Sequence, residues 1–254
     1  MNRILGTGIF NLDTIVVREY PEGPQNARRF VEKTVADEVG GTTLLKVTHK
    51  QNPDGTPKVS VRAGSPGGSR FPRRHFLRMR DEAQVFIDSL DFVPEVFFFD
   101  DPAAGHRLMA KALHEKGALV YFEPSAIKEK KDFDAINVSD VIKFSGENIQ
   151  DVSFAEGRKD KLFIQTLGSE GLRFNLKGAG WVSLPPVAND NVVDWEGAGD
   201  WTTSAFLNAL AKADCLSIDK MNEEIVRTAL EKAQETASKS VSYMGSKGMI
   251  KSNH

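Results

Sequence analysis

Four short runs of continuously apolar sequence, "EVFFFD", "ALVYFEP", "DVIKFS" and "KLFIQTLG", follow one another between residues 95 and 168. A strand with one wet face alternates apolar and polar residues. An unbroken apolar run of strand length implies burial on both faces. Helical segments lie among these runs. "RRHFLRMRDEAQVFIDSL" precedes the first, and "AAGHRLMAKALHEKG" separates the first two and stops at Gly117, a glycine suited to a helix C-terminus. Two-faced strands alternating with helices predict an α/β fold: a mostly parallel sheet with helices on both faces. Phe97, Phe98 and Phe99 then belong to the sheet core and not to a base-stacking platform.

The flanking sequence extends this pattern. "GLRFNLKGAGWVSLPP" predicts a hairpin around a Gly-rich turn, a helix is expected after Gly199, and "NEEIVRTALEKAQETASKSVSYM" reads as a long final helix. Residues Ile4 to Val17 read as strand, turn and strand, with Asp13 near the turn. Around "QNPDGTPK" two β-rich segments form the clearest hairpin signal of the chain, with expected strands Leu44 to His49 and Lys58 to Ala63. This hairpin lies outside the α/β alternation. The expected organisation is one α/β domain over residues 1–254 with a small β appendage formed by roughly 14–35 and 42–64.

Charge and composition narrow the function. The 254 residues hold 33 basic and 35 acidic side chains, a formal net charge of −2, which offers no bulk attraction to nucleic acid or an anionic membrane. The basic cluster Arg70, Arg73, Arg74, Arg78 and Arg80 is local and reads as a solvated turn and helix start. A single cysteine, Cys215, excludes an internal disulfide and a Cys-based zinc site and suits a reducing compartment. The opening "MNRILGTGIFNLDTIVV" is interrupted by Gly6, Gly8, Asn11 and Asp13, so neither a signal peptide nor a membrane span is expected there. A cytoplasmic protein is the expectation. His49, His75, His106 and His114 show no metal-ligand spacing.

The densest group of small residues is "DWEGAGD", Asp194 to Asp200. Glycines permit close approach to the backbone, and the start of a helix directs free N–H groups and a positive dipole end at whatever lies there. Such a turn can hold phosphate oxygens. An acid placed within it can cap the helix or take a proton from an attacking hydroxyl. Phosphoryl transfer needs little more than this positioning, charge neutralisation and a base. In open α/β sheets ligands bind beyond the carboxyl ends of the strands, and Asp13, Glu123, Ser145, Gly168 and Gly197 to Asp200 all fall at or after predicted strand ends. Glu123 also reads simply as a turn acid.

At these residues the chain resembles the PfkB family of carbohydrate kinases, the family of ribokinase. The family signature is close to D-T-x-G-A-G-D, and the resemblance extends to "GTGIFNLD", Gly40–Gly41, "TLGSEG" at Thr166 to Gly171, and "LPPVANDNVVD" leading into the signature. It implies a ribokinase-like fold, with Asp200 as catalytic base and Gly197, Ala198 and Gly199 as anion hole. Asp13 with Gly40 and Gly41 would bind the acceptor, and Thr166, Gly168 and Gly171 would line the ATP site. Mg²⁺ and a monovalent cation are the implied ions, with Glu147 as the candidate metal contact. The partners are a sugar or nucleoside substrate, and the β appendage would form a lid and a homodimer contact. The expected activity is ATP-dependent phosphorylation of a hydroxyl on a sugar or sugar-like small molecule.

Three features depart from the family pattern. Trp195 stands at the Thr of the signature. In "KFSGENI", Ser145 replaces the Asn of an N-x-x-E motif and Asn148 its Glu, with Glu147 adjacent. "GGTT" runs directly into "LLKVTHK", without the βα stretch that follows Gly-Gly in the family. These departures support an alternative, a non-catalytic nucleotide- or sugar-binding protein on the same fold. A dinucleotide-binding dehydrogenase is disfavoured because no G-x-G-x-x-G follows the first strand and opens a helix.

Overall fold

The computed structural model describes residues 4–7, 44–51, 57–64, 74–195, 197–243 and 248–251. They fall into two compact units, Met1–Gly8 with Leu77–His254, and Ile9–Phe76. Asp13, Gly40 and Gly41 lie outside the described residues, as do 14–35 of the expected lid and Glu196 of the signature.

The larger unit is built on a seven-stranded sheet. Its strands are β1 (Ile4–Thr7), β4 (Val96–Phe99), β5 (Leu119–Phe122), β6 (Val141–Ser145), β7 (Leu162–Thr166), β8 (Leu172–Leu176) and β9 (Trp181–Leu184), hydrogen-bonded in that order. The first five are mutually parallel, and β8 and β9 add antiparallel. The two-faced burial expected of the apolar runs is present, since β5 is buried at every position and β6 and β7 at every position but their last.

Alternate residues of these strands feed two cores. Val96, Leu119, Tyr121, Val141, Leu162 and Ile164 face α4 (Ala198–Lys212) and α5 (Glu223–Ser240). Phe97, Phe99, Val120, Phe122, Ile142 and Phe163 face α1 (Arg74–Ser89), α2 (Ala104–Glu115) and α3 (Lys130–Asn137). The rings of Phe99 and Phe122 stack across β4 and β5 with centroids 4.6 Å apart.

Local chemistry sets the element ends. Gly117, at φ +96°, donates its N–H to His114 O, and Ala118 donates to Leu113 O at 3.0 Å. This pair of bonds closes α2 as a Schellman motif. The β8–β9 turn places Lys177 and Gly178 at positive φ, with the Ala179 N–H returning to Leu176 O at 3.1 Å. That geometry matches the right-handed twist of a hairpin. Asn222 caps α5 by accepting the Ile225 N–H at 2.9 Å. Helix α3 goes beyond the sequence-based expectation. It opens with a capping box in which Glu129 and Asp132 each satisfy the other's backbone N–H.

The smaller unit contains the antiparallel pair β2 (Leu44–Gln51) and β3 (Pro57–Gly64), in register from Leu44↔Gly64 to Gln51↔Pro57. Its strands contain both of the expected hairpin strands. Pro57, which has no N–H to give to the ladder, begins its strand, where that loss is tolerated. A final short helix, α6 (Gly248–Lys251), follows α5. Among the described residues no helix is long and apolar enough to cross a membrane.

Candidate active site

The signature opens α4. Gly197 is its N-cap in the left-handed region, at φ +79° and ψ 0°, a conformation that a glycine adopts without cost. The Ala198 N–H turns back to Trp195 O at 3.1 Å, and the first intrahelical bond runs from the Trp201 N–H to Gly197 O at 3.0 Å. The N–H groups of Gly199 and Asp200 precede that bond and have no backbone acceptor among the described residues. Among the described residues they are the donors open to an oxyanion.

Asp200 is the third helical residue and is exposed. Gly197 has no side chain, so the helix lacks a side-chain cap, and the Asp200 carboxylate makes no hydrogen bond or ion pair among the described residues. The cap reading therefore has no bond to support it, while the carboxylate remains free to accept a proton.

The approach to the turn is pinned by the far end of α5. The Val241 carbonyl accepts the N–H groups of Val193 and Asp194, at 2.8 and 3.1 Å. Asn189 donates its side-chain amide to Ser238 O and to Ser242 Oγ, the latter at 3.0 Å. Trp195, at 76% exposure, stands beside the turn with its indole turned to solvent.

Beneath the turn lies the edge formed by the carboxyl ends of β5, β6 and β7. Lys143 of β6 is buried at 2% exposure, and its ammonium is paired with Glu123, which follows β5. The second carboxylate oxygen of Glu123 accepts the hydroxyl of Thr203 on α4 at 2.7 Å. Thr203 has one proton and gives it to Glu123, so the Tyr121 hydroxyl 3.4 Å away acts as donor to Thr203 Oγ1. Burial, and then the neighbouring Glu123 carboxylate, push the Tyr121 phenol well above its ordinary pKa, so it remains a donor. Sequence reasoning placed Glu123 at a strand end and read it also as a turn acid, and missed its pairing with Lys143 and Thr203. The available signal was Lys143, a lysine within an otherwise apolar strand, which requires a buried acid nearby.

The other predicted residues are spread along the same edge. Thr166 ends β7 opposite Ser145, donates its hydroxyl to Phe144 O at 3.5 Å, and accepts the Gly146 N–H at its carbonyl at 2.8 Å. Gly168 and Gly171 both have positive φ and bracket a compact loop closed by the Leu167 N–H on Gly171 O at 2.8 Å. Gly171 also has a packing role, because a Cβ there would lie 2.3 Å from Leu184 O. Glu147 is exposed in the turn after β6, its N–H bonded to Ser145 Oγ at 3.2 Å. Among the described residues no group of three or more His, Cys, Asp or Glu could hold a metal ion, so they build no protein cage for one. A Mg²⁺ that keeps its waters and enters on nucleotide phosphates needs no such cage.

Comparisons with known proteins bear on the family and the fold. Residues 100–253, more than half of the chain, match the family described as pfkB family carbohydrate kinase. No curated protein matches the chain in sequence. Among solved structures, a ribokinase from Giardia lamblia superposes with a TM-score of 0.52 at 16% identity, covering 79% of this chain and 66% of its own. This chain thus spans about two thirds of that protein's length. A putative ribokinase from Agrobacterium tumefaciens gives 0.56 at 12% identity, covering 98% of this chain and 94% of its own. An uncharacterized sugar kinase from Pyrococcus horikoshii, in complex with ATP, gives 0.51 at 18% identity, covering 83% and 68%. At these identities the likeness is one of fold, and the fold is the ribokinase-like one that the motifs imply. The sequence match over residues 100–253 goes further, and by it the chain belongs to the pfkB family of carbohydrate kinases.

Proposed function

We propose that the chain is an ATP-dependent kinase acting on a hydroxyl of a sugar or sugar-like small molecule. One observation carries the reading: at the head of α4 the Gly199 and Asp200 N–H groups have no backbone acceptor among the described residues, and the Asp200 carboxylate, also without a partner among them, stands within the same turn. In this reading Asp200 takes the proton of the acceptor hydroxyl. The oxygen attacks the γ-phosphorus as the bond to the ADP oxygen breaks, and the turn holds the charge developing on the transferred group. Thr166, Gly168 and Gly171, at and just after the end of β7, are the proposed nucleotide contacts. Mg²⁺ would supply charge neutralisation on the phosphates, and Glu147 is the exposed acid nearest in sequence to the family's metal motif. Asp13, Gly40 and Gly41 are proposed for the acceptor on the resemblance alone.

Among the described residues β2 and β3 pair only with each other, and a two-stranded ribbon is marginal by itself in water, which supports a role for the hairpin as lid or homodimer contact. A second reading, a binder that does not catalyse, is favoured by Ser145 and by the short connection after Gly41. The two readings separate in one experiment. Calorimetry with ATP and ADP is run beside ATP consumption over a panel of pentoses, hexoses, sugar acids, sugar phosphates and nucleosides. Nucleotide binding with acceptor-dependent ADP release supports the kinase. Nucleotide binding with no acceptor-dependent turnover supports the binder.

A further inference from the structure

Gly199 and Thr203 lie four residues apart on α4 and so share one face of the helix. That face rests on the Glu123–Lys143 pair. The position a Gly199 Cβ would occupy is 3.5 Å from Lys143 Nζ and 3.7 Å from Glu123 Oε1, and Thr203 bonds Glu123 directly at 2.7 Å. The turn bearing the free N–H groups and Asp200 is therefore supported by a charged pair that two adjacent parallel strands supply.

A charged pair whose lysine is buried and whose carboxylate is partly buried is not the cheapest way to hold a helix on a sheet. Withdrawing the lysine's charge and part of the carboxylate's from water is unfavourable, and apolar residues of similar size usually hold as well or better. The neighbouring contacts of α4, through Phe206, Leu207 and Leu210, are of that apolar kind. What a directional hydrogen bond adds is a fixed axial and rotational setting of the first turn, which apolar contact does not define as sharply.

We propose that Glu123 is a positioning residue: it spans Lys143 and Thr203 and thereby sets the first turn of α4, and with it Asp200 and the N–H groups of the turn. The link to catalysis rests on the function proposed above, whereas the anchoring does not. Lys143 supplies the counter-charge that allows a carboxylate to remain at this depth, and Tyr121 fixes the rotamer of the Thr203 hydroxyl.

The test compares Thr203→Val, which keeps the shape and loses the hydroxyl, with Thr203→Ser, which restores it. Hydrogen exchange read by mass spectrometry on the intact chain needs no activity. In T203V, peptides covering the head of α4 are expected to exchange at least tenfold faster than in the unsubstituted chain, with β5 to β7 unchanged, and T203S should return to within threefold. Where the chain turns over an acceptor, kcat should fall at least tenfold in T203V, with the KM for ATP within threefold, and recover in T203S. Should T203V fail to fold, Glu123→Gln carries the same comparison, since it keeps size and removes the charge facing Lys143. Unchanged exchange in both T203V and E123Q overturns the anchor. Faster exchange with unchanged kcat overturns the positioning role. Faster exchange in a chain whose unsubstituted form turns over no acceptor leaves the anchor established and overturns the kinase reading instead.

Discussion

No side chain fits on Gly171: a Cβ there would lie 2.3 Å from the carbonyl oxygen of Leu184 and 2.8 Å from the backbone of Pro185. Gly171 also sits at φ +92°, where an L-residue is strained. Gly168, three residues earlier in the same loop, sits at φ +59° with nothing within 4 Å of its Cβ position. Two glycines of one motif thus answer to different constraints. Gly171→Ala should destabilise the fold by about 3 kcal/mol or more, from strain and overpacking together. Gly168→Ala should cost only the left-handed penalty of ~1–2 kcal/mol. Denaturant unfolding of both variants checks the difference. Equal losses would mean that the β8–β9 edge gives way at Gly171.

Gly199 has a graded limit. Its missing Cβ would meet the Lys143 ammonium and the Glu123 carboxylate at ordinary contact distance, 3.5 and 3.7 Å. Gly199→Ala should therefore fold with a stability change within ~1 kcal/mol, since Ala is also the better helix former. Gly199→Val must push the ion pair aside and should lose about 1–3 kcal/mol. Nucleotide affinity, measured by calorimetry, should fall more for Val than for Ala. Val tolerated as well as Ala would show that the turn does not rest on the pair.

The strands of the larger unit were legible because burial on both faces writes itself as an unbroken apolar run, as in "ALVYFEP" and "KLFIQTLG". The α2 end was legible because Gly117 is a local device whose partners lie within a few residues. Helix α3 was less so. Its eight residues, "KKDFDAIN", offer just over two turns of pattern, and only the Glu129–Asp132 capping box marks where it starts. The role of Glu123 could not be read locally. Its two partners are 20 and 80 residues away, and only the fold brings Lys143 and Thr203 to it. The signature was read from composition as a turn and a helix start. That the Asp200 carboxylate has no partner among the described residues is a property of three-dimensional structure and not of spacing.

Asp140 should make stability depend on pH. It immediately precedes β6, accepts the Val120 N–H at 2.8 Å, and is faced by His114 of α2 and Lys161 before β7. Burial pushes its carboxyl above the ordinary range, against the opposing pull of the Val120 N–H and of the two basic groups. A raised folded-state pKa means that the folded chain holds this proton more tightly than the unfolded one. The contribution is fully present below the unfolded carboxylate range and is lost as pH rises through the raised value. Relative to the parent, Asp140→Asn should therefore gain stability as pH rises from about 4 toward neutrality, since Asn can still accept the Val120 N–H. Unfolding of parent and variant across that range isolates Asp140 together with its partner His114, because groups that do not interact with Asp140 cancel in the difference. A difference that does not vary with pH would show that Asp140 keeps its ordinary pKa in the fold.

Asp200→Asn decides between a helix-start acid and a base. The carboxylate is exposed and makes no bond among the described residues, so its amide should preserve the fold, with at most the ~0.3–1 kcal/mol that a charge near a helix N-terminus contributes. A base that accepts the acceptor proton in the transition state is another matter, since a positioned acid–base group typically contributes ~10²–10⁴-fold in rate. Asn keeps the size of Asp and cannot take the proton. The expected outcome is a chain that unfolds at nearly the same denaturant concentration, binds ATP with affinity within about threefold because the N–H groups remain, and loses at least ~10²-fold in acceptor phosphorylation. The N–H groups and the base are then separable functions of one turn. Turnover within a few-fold of the parent would leave Asp200 as an acid placed at the positive end of a dipole, and the base would have to be sought elsewhere along the edge formed by β5, β6 and β7.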